Sequence, residues 1–201
     1  CRQVDAGLVH LSTDYVFDGE SGPYAEEDTP NPLSHYGRLK LESEGAIFAT
    51  LEKAIVVRTL WLYGYVPGVR PNFVTWAAGS LAKGSAIRVV SDEWANPTHV
   101  NELSEFLFTL CDSSYRGVVH FAGPDYLTRY EMVAEACDCF GLDMELVTPV
   151  TSADLGQPAK RPLRAGLNVD FAGQIVPDRR RTFRENLELM REQMPALTSL
   201  S

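Results

Sequence analysis

The sequence lacks several features that define whole classes of protein. No apolar run approaches the roughly 18 residues of a membrane-spanning helix, and residues 1–5 have neither the basic start nor the apolar core of a secretory signal. There are only four cysteines, with no C-x-x-C pair and no histidine at zinc-finger spacing. We therefore predict a cytoplasmic protein with reduced thiols, no metal site and no membrane partner.

Positive charge is also scarce. The chain has 18 Lys and Arg against 27 Asp and Glu, a net charge of -9, and its only basic run is the three arginines at residues 179–181. A surface that follows a nucleic-acid backbone needs clustered positive charge. Nucleic acid is therefore not an expected partner.

What the sequence does contain is an alternation of apolar strands with amphipathic helices. Residues 7–12, 54–59 and 117–122 are nearly continuous in apolar character, which is typical of parallel strands covered on both faces. Shorter strands are predicted at 87–90 and 145–147. Helices are predicted at 36–51, at 73–82, at 100–111 with Thr98 as cap, and after capping boxes at Thr128 and Thr182, the first of which ends at Gly141. This pattern indicates an α/β fold.

The stretch SHYGRLK carries the first chemical signal. Tyr36 and Lys40 lie four residues apart and share one helix face. A nearby ammonium lowers the pKa of a phenol towards neutrality, and Thr13 would end a strand at the carboxyl edge of the sheet, where α/β folds bind ligands. Together these residues could bind a carbonyl oxygen and protonate it as hydride arrives from a nicotinamide. An exposed lysine beside a half-buried tyrosine remains the alternative.

Longer segments then resemble a known family in order and spacing. They are LSTDYVFDG, PYAEEDTPNPLSHYGRLKLESE, VVRTLWLYG, NFV, ANPTHVNEL and RPLRAGLN. Together they resemble the dTDP-4-dehydrorhamnose reductase family of the extended short-chain dehydrogenase/reductase superfamily, from residue 8 to about residue 171.

This resemblance implies roles for particular side chains. It implies a catalytic set of Thr13, Tyr36 and Lys40, in which the tyrosine donates the proton, the lysine holds the nicotinamide ribose and lowers the tyrosine pKa, and the threonine orients the keto sugar. It also implies cofactor binding by Leu11, Tyr36 and Lys40, and substrate binding by Thr13, Asp14 and Trp61. A core aromatic at Trp61 and a turn carboxylate at Asp14 remain alternatives.

The implied activity is reduction, by NADPH or NADH, of the 4-keto group of a dTDP-linked 6-deoxysugar, from dTDP-4-dehydrorhamnose to dTDP-L-rhamnose. The partner is then a nucleotide sugar, and a homodimer remains open. The implied fold is the C-terminal part of a Rossmann-like parallel sheet with a smaller α/β substrate-binding lobe. We expect the sheet domain at residues 1–70 and the lobe at 71–201, with 95–125 returning to the sheet.

One part of the family pattern is absent. No two glycines are separated by a single residue, so the chain has no G-x-G-x-x-G fingerprint for a dinucleotide. In the resembling enzymes that loop lies upstream, and at roughly 30 residues per βαβ unit about 90 residues would precede residue 8. We expect a fragment of a longer protein that binds NADPH weakly by itself.

Two other functions compete with a reductase. DYVFDG, PTHV, RYEM and QPAKRP also resemble the beta subunit of methionine adenosyltransferase, which would make the protein a nucleotide-binding regulatory subunit. An epimerase or dehydratase of the same superfamily would need further acid–base groups near Thr13. Residues 12–15 offer only one acid, Asp14, so this is the weakest of the three hypotheses.

Overall fold

The computed structural model describes residues 1–156 and 159–194. The first two residues of QPAKRP and residues 195–201 of the expected lobe lie outside the described residues. The strands are β1 (Leu8–Thr13), β2 (Ala54–Thr59), β3 (Leu62–Tyr63), β4 (Ile87–Val90), β5 (Trp94–Ala95), β6 (Thr98–His99), β7 (Gly117–His120), β8 (Leu127–Thr128) and β9 (Val147–Val150). The α-helices are α1 (His35–Thr50), α2 (Phe73–Leu81), α3 (Val100–Cys111), α4 (Arg129–Phe140), α5 (Ala172–Ile175) and α6 (Phe183–Gln193).

The main sheet has three parallel strands in the order β1-β2-β7. All six residues of the central strand β2 are buried, which agrees with its nearly continuous apolar sequence. Its side chains alternate between two faces. Ile55 and Val57 pack with Leu103 and Phe106 of α3, whereas Arg58 points to α1. The predicted α/β class with a parallel sheet is confirmed.

The second group of elements packs around α4. Met132 and Phe140 of α4 share a core with α2 and with Phe183, Leu187 and Met190 of α6. A neighbouring face of α4 packs on the parallel pair β4-β9. Both predicted capping boxes are present, at Thr128 with Glu131 and at Thr182 with Glu185, and Gly141 ends α4 in the left-handed conformation.

Two local predictions are wrong. Thr98 does not cap α3, because it belongs to β6 and its hydroxyl accepts a hydrogen bond from Thr59; His99 precedes the helix without a side-chain cap. The strand predicted at 145–147 begins only at Val147, because Asp143 accepts a hydrogen bond from the Glu145 amide and starts a 3-10 turn over Met144–Leu146.

Among residues 1–156 and 159–194, no helix has the length and apolarity needed to cross a bilayer.

Candidate active site

The predicted site residues gather at one edge of the main sheet. Thr13 and Thr59 end β1 and β2 in register, so the segments that follow both strands leave the sheet at its carboxyl edge. Asp14 begins a 3-10 turn after β1, and Trp61 lies just beyond β2. Open α/β sheets bind their ligands at this edge.

Helix α1 brings Tyr36 against the turn that follows Thr13. Ser34 caps the helix by accepting a hydrogen bond from the Gly37 amide at 3.1 Å. A Cβ at Gly37 would lie 2.1 Å from the Tyr15 carbonyl oxygen, so only glycine permits this approach. The Tyr36 and Tyr15 rings meet edge to face with centroids 5.8 Å apart, and about half of Tyr36 stays exposed.

Lys40 lies one turn further along α1 and contacts β1. Its Nζ donates to the Leu11 carbonyl oxygen at 2.6 Å and lies 3.5 Å from Nε2 of His10. Burial and the charge of Lys40 lower the pKa of His10, which favours a neutral ring that can accept this proton. The fold thus joins Leu11 and Lys40, both predicted for the cofactor. The contact of Lys40 with His10 was not predicted.

Thr13 and Asp14 form a buried pair. Thr13 Oγ1 donates to Asp14 Oδ1 at 3.1 Å and accepts from the Tyr15 amide at 3.3 Å. Asp14 Oδ2 is buried without a hydrogen-bond partner in the described part of the chain, and burial raises the pKa of Asp14 to about 7. A protonated Asp14 can donate to Thr13 Oγ1, which leaves the proton of Thr13 for a ligand oxygen.

We expect Asp14 to make stability depend on pH. The folded state keeps a proton on this carboxyl that the unfolded state releases above about pH 4. The stabilisation present at low pH is therefore lost as the pH rises through about 7. Between about pH 5 and pH 8 this amounts to roughly 2–3 kcal/mol of unfolding free energy.

Urea unfolding of the wild type and of Asp14→Asn at both pH values tests this expectation. The asparagine variant should gain stability relative to the wild type as the pH rises. Asp112→Asn, at an exposed position after α3, is the matched control and should follow the wild type. If the free energies of unfolding of the wild type and of Asp14→Asn differed by the same amount at both pH values, the raised pKa of Asp14 would be contradicted.

A second buried network lies under α1. Glu44 and Arg58 are 3% and 4% exposed and form a bidentate pair, with Arg58 Nε 3.1 Å from Oε1 and its terminal nitrogen 2.7 Å from Oε2. Ser12 also donates to Glu44, and Nε2 of His120 lies 3.4 Å from Arg58. Sequence reasoning missed this network. The signal was an arginine inside the apolar strand IVVRT, because a buried charge needs a partner.

Trp61 is covered by a residue that the sequence did not single out. Its backbone is left-handed, with φ 40°, and the guanidinium carbon of Arg129 lies 4.0 Å from its ring centroid. Arg129 follows Thr128, whose capping box was predicted, but Arg129 itself was not a candidate site residue. No local pattern shows that it reaches a tryptophan 68 positions earlier in the sequence.

The chain is similar to known proteins over most of its length. The family model for the RmlD substrate binding domain matches residues 1–195. A dTDP-4-dehydrorhamnose reductase of Mycobacterium tuberculosis is 37% identical over 174 residues, which cover 84% of this chain and 57% of the relative. Methionine adenosyltransferase 2 subunit beta of Danio rerio is 34% identical over 166 residues, covering 80% of this chain and 51% of that protein.

A solved structure shows the same fold. The dTDP-4-dehydrorhamnose reductase of Bacillus anthracis, in complex with NADP, superposes with a TM-score of 0.88 at 28% identity. The match covers 95% of this chain and 67% of the other. Measured against the curated relatives above, the chain spans a little over half of their length.

Proposed function

Because the chain belongs to the RmlD substrate binding domain family, we propose that it works in the NADPH-dependent or NADH-dependent reduction of a dTDP-linked 4-keto-6-deoxysugar. The specific reaction proposed is dTDP-4-dehydrorhamnose to dTDP-L-rhamnose. The observation that supports it most is the convergence of Thr13, Tyr36 and Lys40 at the carboxyl edge of the sheet. The Mycobacterium tuberculosis and Bacillus anthracis relatives, both dTDP-4-dehydrorhamnose reductases, support the same reaction.

The residues present suit the nicotinamide end of the cofactor. Lys40 has three N–H donors, of which one is used by Leu11 and one faces His10, so a further donor is available for a ribose hydroxyl. Leu11 lies on β1, and 39% of its surface is exposed. When bound, the dinucleotide would supply the hydride.

Residues of this chain would then donate the proton and bind the ketone oxygen. Tyr36 is half exposed at the edge and can donate its phenolic proton to the oxygen that gains negative charge. Thr13 would hold that oxygen by a hydrogen bond, and Asp14 would hold Thr13. Trp61 would form an apolar wall beside the sugar. Transition-state stabilisation would come from these two hydroxyls, which would donate hydrogen bonds to the developing oxyanion.

Turnover tests the proposal directly. The protein expressed from its full reading frame is mixed with NADPH and dTDP-4-dehydrorhamnose, and nicotinamide oxidation is followed together with the sugar product. We expect oxidation that depends on the ketosugar and yields dTDP-L-rhamnose. Cofactor oxidation at the same slow rate with and without the ketosugar would overturn the proposal.

A regulatory subunit is the second candidate, and the 34% identity to methionine adenosyltransferase 2 subunit beta favours it. Such a protein would bind the dinucleotide and act through a synthetase. Co-purification with a methionine adenosyltransferase, together with no ketosugar turnover, would select this function over the first.

The division of the chain also stays a proposal. We assign residues 1–70 to the dinucleotide-binding sheet and 71–201 mainly to the substrate-binding lobe, with 95–125 returning to the sheet. The pairing of β7 with β2 supports the return. The cytoplasmic location and the homodimer remain predictions.

A further inference from the structure

The guanidinium of Arg129 lies against two aromatic rings from different parts of the chain. Its central carbon is 4.0 Å from the Trp61 ring centroid and 4.7 Å from that of Phe73. Trp61 follows the main sheet, whereas Phe73 begins α2. Only 15% of the Arg129 side chain is exposed, and the attraction of a cation for a ring face is strongest when water is excluded.

Groups outside the Trp61 segment fix the position of this cation. Nε of Arg129 donates to Oε2 of Glu93 at 3.5 Å, and Glu93 is 3% exposed. The other oxygen of Glu93 accepts from the Ser152 hydroxyl at 3.2 Å. The capping box between Thr128 and Glu131 fixes the first turn of α4, in which Arg129 lies. The cation is therefore placed independently of Trp61 and can act on it.

The contact with Arg129 can stabilise the unusual backbone conformation of Trp61. A φ of 40° is unfavourable for a residue with a Cβ, and such a conformation persists where its surroundings hold it. Trp61 also packs against the hydrophobic cluster that contains Val16 and Phe17, which closely follow Thr13 and Asp14 in the chain. A shift of the indole would therefore alter the packing beside the candidate site.

We propose that Arg129 is a positioning residue, which holds the indole of Trp61 as a fixed wall of the nucleotide-sugar site. The identity of that ligand rests on the proposed function. The orientation of Trp61 is independent of the proposed function, because it follows from the stacking of Arg129 on the indole and from the contact of Arg129 with Glu93.

Steady-state kinetics of the protein from its full reading frame test the effect on the ligand. Arg129→Met keeps much of the side-chain length and removes the charge. We expect the KM for the ketosugar to rise about fivefold to thirtyfold, with a smaller change in kcat. Arg129→Lys, which restores a cation over the ring, should recover part of the loss.

A double-mutant cycle identifies the route of the effect. Trp61→Leu should raise KM to a similar extent, and adding Arg129→Met to it should change KM little further. Arg184→Met is the matched control, because Arg184 lies on α6 in an exposed ion pair with Asp138. Effects of Arg129→Met and Trp61→Leu that multiply in full would overturn the inference.

A spectroscopic arm separates this inference from the proposed function. The near-ultraviolet circular dichroism of the wild type minus that of Trp61→Leu gives the signal of Trp61. In the Arg129→Met background this signal should lose most of its amplitude, whereas Arg184→Met should retain it. An undiminished signal overturns the inference. If the signal is lost while the wild type does not reduce the ketosugar, the proposed function fails and the positioning role stands.

Should Arg129→Met not fold, Arg129→Lys supplies the comparison. It keeps the charge but not the planar group that stacks on indole. Its Trp61 signal should be reduced, and a signal equal to that of the wild type would count against the inference.

Discussion

Tyr36→Phe is expected to lower kcat for ketosugar reduction by about 10²- to 10⁴-fold, because the variant has no proton to give to the carbonyl oxygen. The ring itself is retained, together with its edge-to-face contact with Tyr15. Cofactor affinity should fall much less than kcat, because Lys40, which is also proposed to bind the cofactor, keeps its hydrogen bond to the Leu11 carbonyl oxygen. The measurement is single-turnover reduction with saturating NADPH, alongside a fluorescence titration of the cofactor.

Tyr115→Phe provides the matched control for this substitution. Tyr115 precedes β7, at the amino edge of the sheet, and its hydroxyl donates to the Val118 carbonyl oxygen. This variant also loses one phenol oxygen, but far from the candidate site, and should turn over at the wild-type rate. A Tyr36→Phe protein with a kcat close to that of Tyr115→Phe would remove Tyr36 from the proposed mechanism.

Glu44→Gln is expected to destabilise the fold by about 3–5 kcal/mol, since it leaves the charge of Arg58 buried without its carboxylate. Both side chains are almost fully buried, and water cannot replace the lost partner. His120 cannot compensate for the loss, because burial and the charge of Arg58 lower its pKa to about 3 and keep its ring neutral. Urea unfolding of the variant and the wild type measures the difference.

Two further variants make this test specific. The double variant Glu44→Leu, Arg58→Met removes both charges and should recover most of the stability lost in Glu44→Gln. Glu42→Gln changes an exposed glutamate of the same helix and should stay within about 0.5 kcal/mol of the wild type. A Glu44→Gln protein as stable as Glu42→Gln would show that the buried pair contributes nothing.

This pair also connects the fold to the proposed function. Tyr36, Lys40 and Glu44 follow one another at intervals of four along α1, so they lie along one side of the helix. Glu44 joins that side to β2, whereas Lys40 joins it to the Leu11 carbonyl oxygen of β1. Loosening the pair should therefore weaken the placement of Tyr36 as well as lower stability.

Patterns among residues close together in the sequence account for most of the helices and strands that were predicted correctly. Strand β2 was predicted with its observed bounds, because an apolar run at the centre of a parallel sheet is buried on both faces. The capping box at Thr128 and the glycine at 141 placed both ends of α4 correctly, since these residues satisfy backbone groups within one turn. The prediction at Thr98 was wrong because its hydroxyl bonds to Thr59, a residue distant in the sequence. The prediction at 145–147 was wrong because a 3-10 turn includes residues 145 and 146.

The sequence by itself determined the α/β class, the positions of most elements and the Tyr36–Lys40 spacing on one helix face, because each depends on residues close together in the chain. Only the tertiary structure decided that Lys40 meets the Leu11 carbonyl, that Glu44 neutralises Arg58 and that Arg129 covers Trp61. Those partners are 14 to 68 positions apart in the sequence, and one is a backbone oxygen that every residue type shares. Hydrophobic periodicity indicates which face of a helix or strand is buried. It does not indicate which polar group on a neighbouring helix or strand contacts that face.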